Sequence, residues 1–150
     1  TGERVPVFDD SLRAILTGLD LHHGPGHVIR AVMTGVAFQL RWALEYGEAF
    51  GQPAERILTV GGGALGRLWA QLIADVLGRE LHCLRDAQDA AAIGASACAL
   101  VGGGYQRDFG FLEGRAANAT VHQARPESHS RHQLTFDRYR ALAHYGLSRE

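Results

Sequence analysis

Three consecutive glycines, Gly61, Gly62 and Gly63, stand between an apolar, β-favouring run (Ile57 to Val60) and a stretch of helical spacing that ends at Gly78. Glycine tolerates positive φ and carries no Cβ, so a ligand can lie directly against such a backbone. A helix beginning just beyond the turn points free N–H groups and its positive dipole end at the same place, which suits a nucleotide phosphate. Arg67, in the second position of that helix, offers a planar guanidinium that either reaches an adenine face or a phosphate or stays in solvent. Gly61, Gly63 and Gly66 also satisfy G-x-G-x-x-G, and Asp86 follows the next apolar run where a ribose-binding acid would stand. An NAD-binding oxidoreductase domain is therefore one reading of these residues.

Other chemistries find less support. The 15 basic residues are all arginine, so the chain holds neither a Walker A lysine nor a Schiff-base lysine. Asp9, Asp10, Asp75, Asp86 and Asp89 are the candidate bases, and each is expected at a turn or on an exposed helix face. His22, His23 and His27 lack the paired spacing and partner cysteines of a structural metal site, and a solvated loop is expected there. No metal site and no catalytic triad is expected. Cys83 and Cys98 lie in apolar stretches that fit no disulfide framework, which suits a reducing cytoplasm.

The elements that must position the glycine turn follow from periodicity. Length suits one domain, and a net charge of −1 favours neither nucleic acid nor an anionic membrane as partner. No run approaches 18 apolar residues, and the first residues do not resemble a signal peptide. Residues 1–24 read as a loop followed by an irregular piece. Ile29, Val32, Met33, Val36, Leu40, Ala43 and Leu44 define a long helix from Gly26 to Phe50 with one buried stripe. The helix after the glycines should bury Leu65, Leu68, Trp69, Leu72, Ile73 and Val76, and Trp42 and Trp69 read as core residues. Glu80 to Leu84 reads as a second strand. Ala90 to Val101 reads as a helix lying close on a sheet through Ala91, Gly94 and Ala95, with Gly102 to Gly104 as its cap. Residues 105–130 lack periodicity and read as an irregular surface excursion, and Leu134, Tyr139, Leu142 and Tyr145 suggest a closing helix from His132. Two strands are too few for so many sheet-covering helices. The chain is thus expected to be the later part of a larger protein, with a sheet edge open to pairing, which leaves a homodimer among its partners.

Several spaced motifs resemble the carboxy-terminal domain of the FGGY-family carbohydrate kinases. They are GERVP at Gly2 to Pro6; Ala14, Leu16, Gly18 and Leu19; His27, Val28, Ala31 and Val32; Gly61 to Ala64 with Trp69; and Ala92 to Ala95. The likeness runs through residues 2–145 in order and stands nearest the members that act on xylulose. It implies an α/β fold, part of an actin-like, ribonuclease-H-like ATPase domain with helices on a small sheet, over residues 1–146. It implies ATP and Mg²⁺ as cofactors, and a kinase that phosphorylates a ketose hydroxyl, D-xylulose before gluconate, ribulose or glycerol. In that family the Gly-Gly-Gly-Ala turn binds adenosine, which carries over to Gly61, Gly62, Gly63 and Ala64. The sequence departs from the family at Thr34, at Gly66–Arg67 and at Phe8-Asp9-Asp10. The family's general-base Asp, phosphate loop and most sugar contacts lie upstream of the GERVP segment and are not found in this chain. Residues 1–150 alone are therefore expected to be inactive, and a non-catalytic nucleotide-binding or self-associating module is the alternative from another class.

Overall fold

The computed structural model describes residues 2–116 and 118–147, apart from the side chains of 64, 65, 116 and 144–147. Ala64, Leu65 and Tyr145 of the expected seat and helix faces fall among the latter, so only their backbone enters below. The described chain forms two compact units, one from the residues up to Ala54 with those from Pro126 onward, the other from Glu55–Arg125.

In the first unit two long helices pair: α1 (Pro25–Ala49) and α5 (Pro126–Leu147). Gly24 caps α1, Pro25 fills its first turn, and the Gly24 N–H donates to His27 Nδ1 at 3.1 Å. The expected stripe is not what packs: Ile29, Val32, Val36 and Leu40 are 45–60% exposed. Ala37, Phe38, Arg41 and Trp42 are buried instead. Phe38 meets Phe136 and Tyr139 of α5 with ring centroids 5.5 Å apart in each case, and the Arg41 guanidinium lies 4.2 Å from the Phe136 centroid. α1 is apolar around most of its girth, so spacing alone does not select an arc; the aromatic residues of α5 do. α5 starts at Pro126, six residues before the expected His132, because proline fits the first turn of a helix. Its buried positions are Phe136 and, partly, Tyr139, while Leu134 is exposed. The Tyr139 hydroxyl donates to Gln39 Oε1 at 2.7 Å, and burial, then the nearby Glu3 charge, push its pKa up. In the leading segment, Glu3 and Asp9 exchange backbone hydrogen bonds. Gly2 closes that turn at φ +71, where a Cβ would sit 2.4 Å from Asp10 Cα.

The second unit holds a sheet of three strands, β1 (Ile57–Thr59), β2 (Leu81–Cys83) and β3 (Thr120–His122), in the order β1-β2-β3. β1 and β2 are parallel, with Ile57 opposite Leu81 and Thr59 opposite Cys83; β3 is antiparallel to β2, with Leu81 opposite His122. The third strand corrects the two-strand expectation and gives order to the 105–130 excursion, which also contains the short helix α4 (Glu113–Ala116). Three residues, two of them exposed, leave β3 no alternation to read.

Between β1 and β2, α2 (Arg67–Leu77) buries Ala70, Leu72, Ile73, Ala74 and Val76, and its end is set by Gly78 in the left-handed region, φ 69. Leu68, expected inside, is 86% exposed, and Trp69 is half-buried. α3 (Ala90–Gly102) buries Ala97, but Ala91 and Ala95 are exposed, and among the described residues nothing lies within 4 Å of a Cβ placed on Gly94. The close approach to a sheet expected there is not made; α2 is the helix that covers these short strands. The second glycine triplet does cap α3: Gly103 N–H reaches Ala99 O at 2.9 Å and Gly104 takes φ +75.

Candidate functional site

β1 delivers the chain to its carboxy-terminal edge, where Gly61 turns it with φ 87 and ψ 170, angles that a side chain resists. The Gly61 N–H donates to the Ala87 carbonyl at 2.5 Å, and Ala87 is 1% exposed. The turn after β1 is thus tied to the turn after β2, and both lie at the same edge of the parallel pair. Gly62–Leu65 form one 3-10 turn, which includes the Ala64 backbone, and Gly66 then opens α2 in an extended conformation. Among the described residues a Cβ on Gly62 would meet nothing within 4 Å, which leaves room for a ligand on this face. Behind it, a Cβ on Gly63 would touch the Trp69 indole at 3.5 Å, which shows the ring supporting the turn from within.

The backbone of Gly61, Gly62, Gly63 and Ala64 therefore lies in one turn that leads through Gly66 to Arg67. Arg67 is the first residue of α2 and is exposed, and among the described residues its side chain makes no hydrogen bond or ion pair. The turn after β2 is the part that sequence reasoning missed. Ala87 lies between Asp86 and Asp89, which the sequence offers as acids, but only the Ala87 carbonyl acts on the glycine turn, which no residue type signals. Asp86 pairs with Arg115 of α4, and the Asp86 carbonyl accepts the Asp89 N–H at 3.0 Å. Arg85, Asp86, Phe111, Gly114, Arg115 and Asn118 line a cleft of about 500 Å³.

The geometry argues against the dinucleotide reading. A 3-10 turn separates Gly61 from the helix, Gly66 precedes that helix as its cap, Asp86 already has a cationic partner, and the next strand runs antiparallel.

The acids divide differently from expectation. Asp75, assigned to a turn or an exposed helix face, is fully buried. One of its oxygens accepts the Arg125 N–H at 2.9 Å and Gln71 Nε2 at 3.0 Å, and the Arg125 guanidinium reaches both oxygens. Burial pushes the Asp75 carboxyl up, but the hydrogen bonds and charge of Arg125, with Gln71, outweigh it and hold the pKa below the usual value. The sequence carries no signal for this pair, which is 50 residues apart. Asp9 does sit at a turn, where the Ser11 hydroxyl and N–H lower its pKa. Glu3 accepts the Arg4 backbone N–H, while the Arg4 guanidinium lies 5.7 Å from the Phe8 ring centroid. His23 and His27 meet edge to face at 5.4 Å. No described helix is long and apolar enough to cross a membrane.

Comparison with known proteins bears on the family and the fold. The carboxy-terminal domain of the FGGY family of carbohydrate kinases matches residues 1–103. Xylulose kinase of Bacillus subtilis is 35% identical over 104 residues, covering 69% of this chain, and the chain spans 21% of that relative's length. In the solved xylulose kinase of Lactobacillus acidophilus, bound to a ligand, a similar fold covers 99% of this chain and 30% of that one, with TM-score 0.82 and 22% identity. Plasmodium falciparum glycerol kinase, solved with ADP, aligns over 89% of this chain and 27% of its own, with TM-score 0.70 and 16% identity.

Proposed function

Because this chain belongs to the FGGY family of carbohydrate kinases, we propose that it supplies the ATP-binding carboxy-terminal part of a sugar kinase. The reaction is transfer of the γ-phosphoryl of ATP to a ketose hydroxyl, with D-xylulose the foremost substrate. The observation that carries this reading is the glycine turn, bent at Gly61 and open on the Gly62 face, in a chain of this family. Its backbone suits the flat, uncharged part of a nucleotide, since among the described residues nothing lies within 4 Å of a Cβ placed on Gly62.

In this reading Gly61, Gly62, Gly63 and Ala64 hold adenosine, and Arg67 lies along the adenine or an inner phosphate. Bound ATP supplies the γ-phosphoryl, and Mg²⁺ neutralises its phosphates. The chain's own contribution is orientation, because phosphoryl transfer is accelerated mainly by positioning and charge stabilisation. The ion-paired Asp75 and Asp86 and the turn-bound Asp9 are poor general bases, and in this reading the base and the residues that select the sugar are supplied by a longer protein carrying this chain.

The test is phosphoryl transfer. Such a longer protein is expected to release ADP from ATP with D-xylulose at a higher kcat/KM than with gluconate, ribulose or glycerol. Residues 1–150 alone are expected to phosphorylate none of them. Turnover by the isolated chain would place the base within it, and a higher kcat/KM for another sugar would replace xylulose.

A further inference from the structure

We infer that Arg115 is a positioning residue for the nucleotide seat, acting through Asp86 and the Ala87 carbonyl. The inference rests on the reading of Gly61 to Ala64 as that seat. Arg115 Nη2 binds Asp86 Oδ2 from α4. The next residue, Ala87, is buried, and its carbonyl takes the Gly61 N–H. Gly61 is the residue whose positive φ starts the turn. The route from Arg115 to Gly61 is therefore one ion pair, one peptide unit and one hydrogen bond. If the carboxylate is released, the turn after β2 loses its side-chain anchor, and the acceptor that fixes Gly61 is free to shift.

Exposure separates this role from a purely stabilising one. The Arg115 and Asp86 side chains are 42% and 32% exposed, and both line the open cleft described above. Ion pairs so placed contribute little to stability and are screened by salt. The pair thus has little influence on whether the unit folds, and its effect falls on where the Ala87 carbonyl stands.

The experiment measures adenosine binding by calorimetry, with wild type, Arg115→Ala, Asp86→Asn, the double variant, Arg115→Lys and Gly61→Val. Adenosine is uncharged, so salt acts on its affinity only through the protein. Arg115→Ala and Asp86→Asn should each raise Kd by about two- to fivefold, the range an exposed pair spans. The double variant should lose no more than either single one, and Arg115→Lys should recover most of the loss. Melting temperatures should stay within about 3 °C of wild type. About 0.5 M NaCl should weaken wild type toward the Arg115→Ala value and leave that variant unmoved. Wild-type affinity in Arg115→Ala, additive losses in the double variant, or a larger fall in melting temperature would overturn the positioning role. Unchanged adenosine binding in Gly61→Val would instead overturn the seat, and the positioning role with it.

Discussion

Asp75 shows how much of this chain's chemistry is structural. A carboxylate with no exposed surface survives only if its oxygens are occupied, and Arg125 and Gln71 occupy them. Through them α2 grips the segment that follows β3. The Asp75 pKa is lower in the folded chain than the ordinary 3.8, so its stabilising effect is present above that value. The effect is lost as pH falls from there through the lowered folded value. Asp75→Asn should cost about 1–3 kcal/mol near neutral pH, a figure discounted because Arg125 remains largely solvated. It should also flatten the acid limb of a stability profile measured by urea denaturation between pH 2 and 7. An unchanged acid limb would show that the pair carries no linkage. At this scale the sequence revealed the glycine turn, because glycine announces its conformational freedom by its identity. The Ala87 carbonyl and the Asp75 pocket remained hidden, since a backbone oxygen has no residue signature and a pairing across 50 positions leaves no local pattern.

At the scale of elements, α1 separates what periodicity can decide from what it cannot. Its extent, from Pro25 to Ala49, follows from proline at the start and glycine after the end, and the expected bounds lie within a residue. Which arc is buried depends on α5, whose aromatic residues meet Phe38 and Trp42. Phe38→Ala should therefore cost about 3–5 kcal/mol, whereas Val32→Ser should stay within about 0.5 kcal/mol. Denaturation midpoints of the two variants check this, and a Val32 loss as large as that of Phe38 would mean that the exposed stripe is covered. The same limit applies to α2 and β3. α2 was legible from its apolar spacing and from Gly78, while a three-residue strand whose pairing partner is some forty positions away was not.

At the scale of the whole molecule, the candidate surface lies at the carboxy-terminal edge of the parallel pair β1 and β2. Two turns meet there, and their junction is the hydrogen bond from Gly61 to Ala87. The G-x-G-x-x-G spacing pointed to NAD, and only the surroundings of the motif corrected it: the 3-10 turn, the capping Gly66, the Asp86 pair and the antiparallel β3. The family likeness, carried by motifs spread along the chain, was legible because it did not depend on any single contact. In the proposed function this surface is an adenosine seat. Thermal unfolding of the chain with ADP or with NAD, at equal concentrations, tests it most directly. A ligand at about 100 times its Kd adds about 2.7 kcal/mol, which moves the melting temperature of a domain this size by several degrees. ADP should raise the melting temperature more than NAD does, and a larger rise with NAD would rule out the adenosine seat.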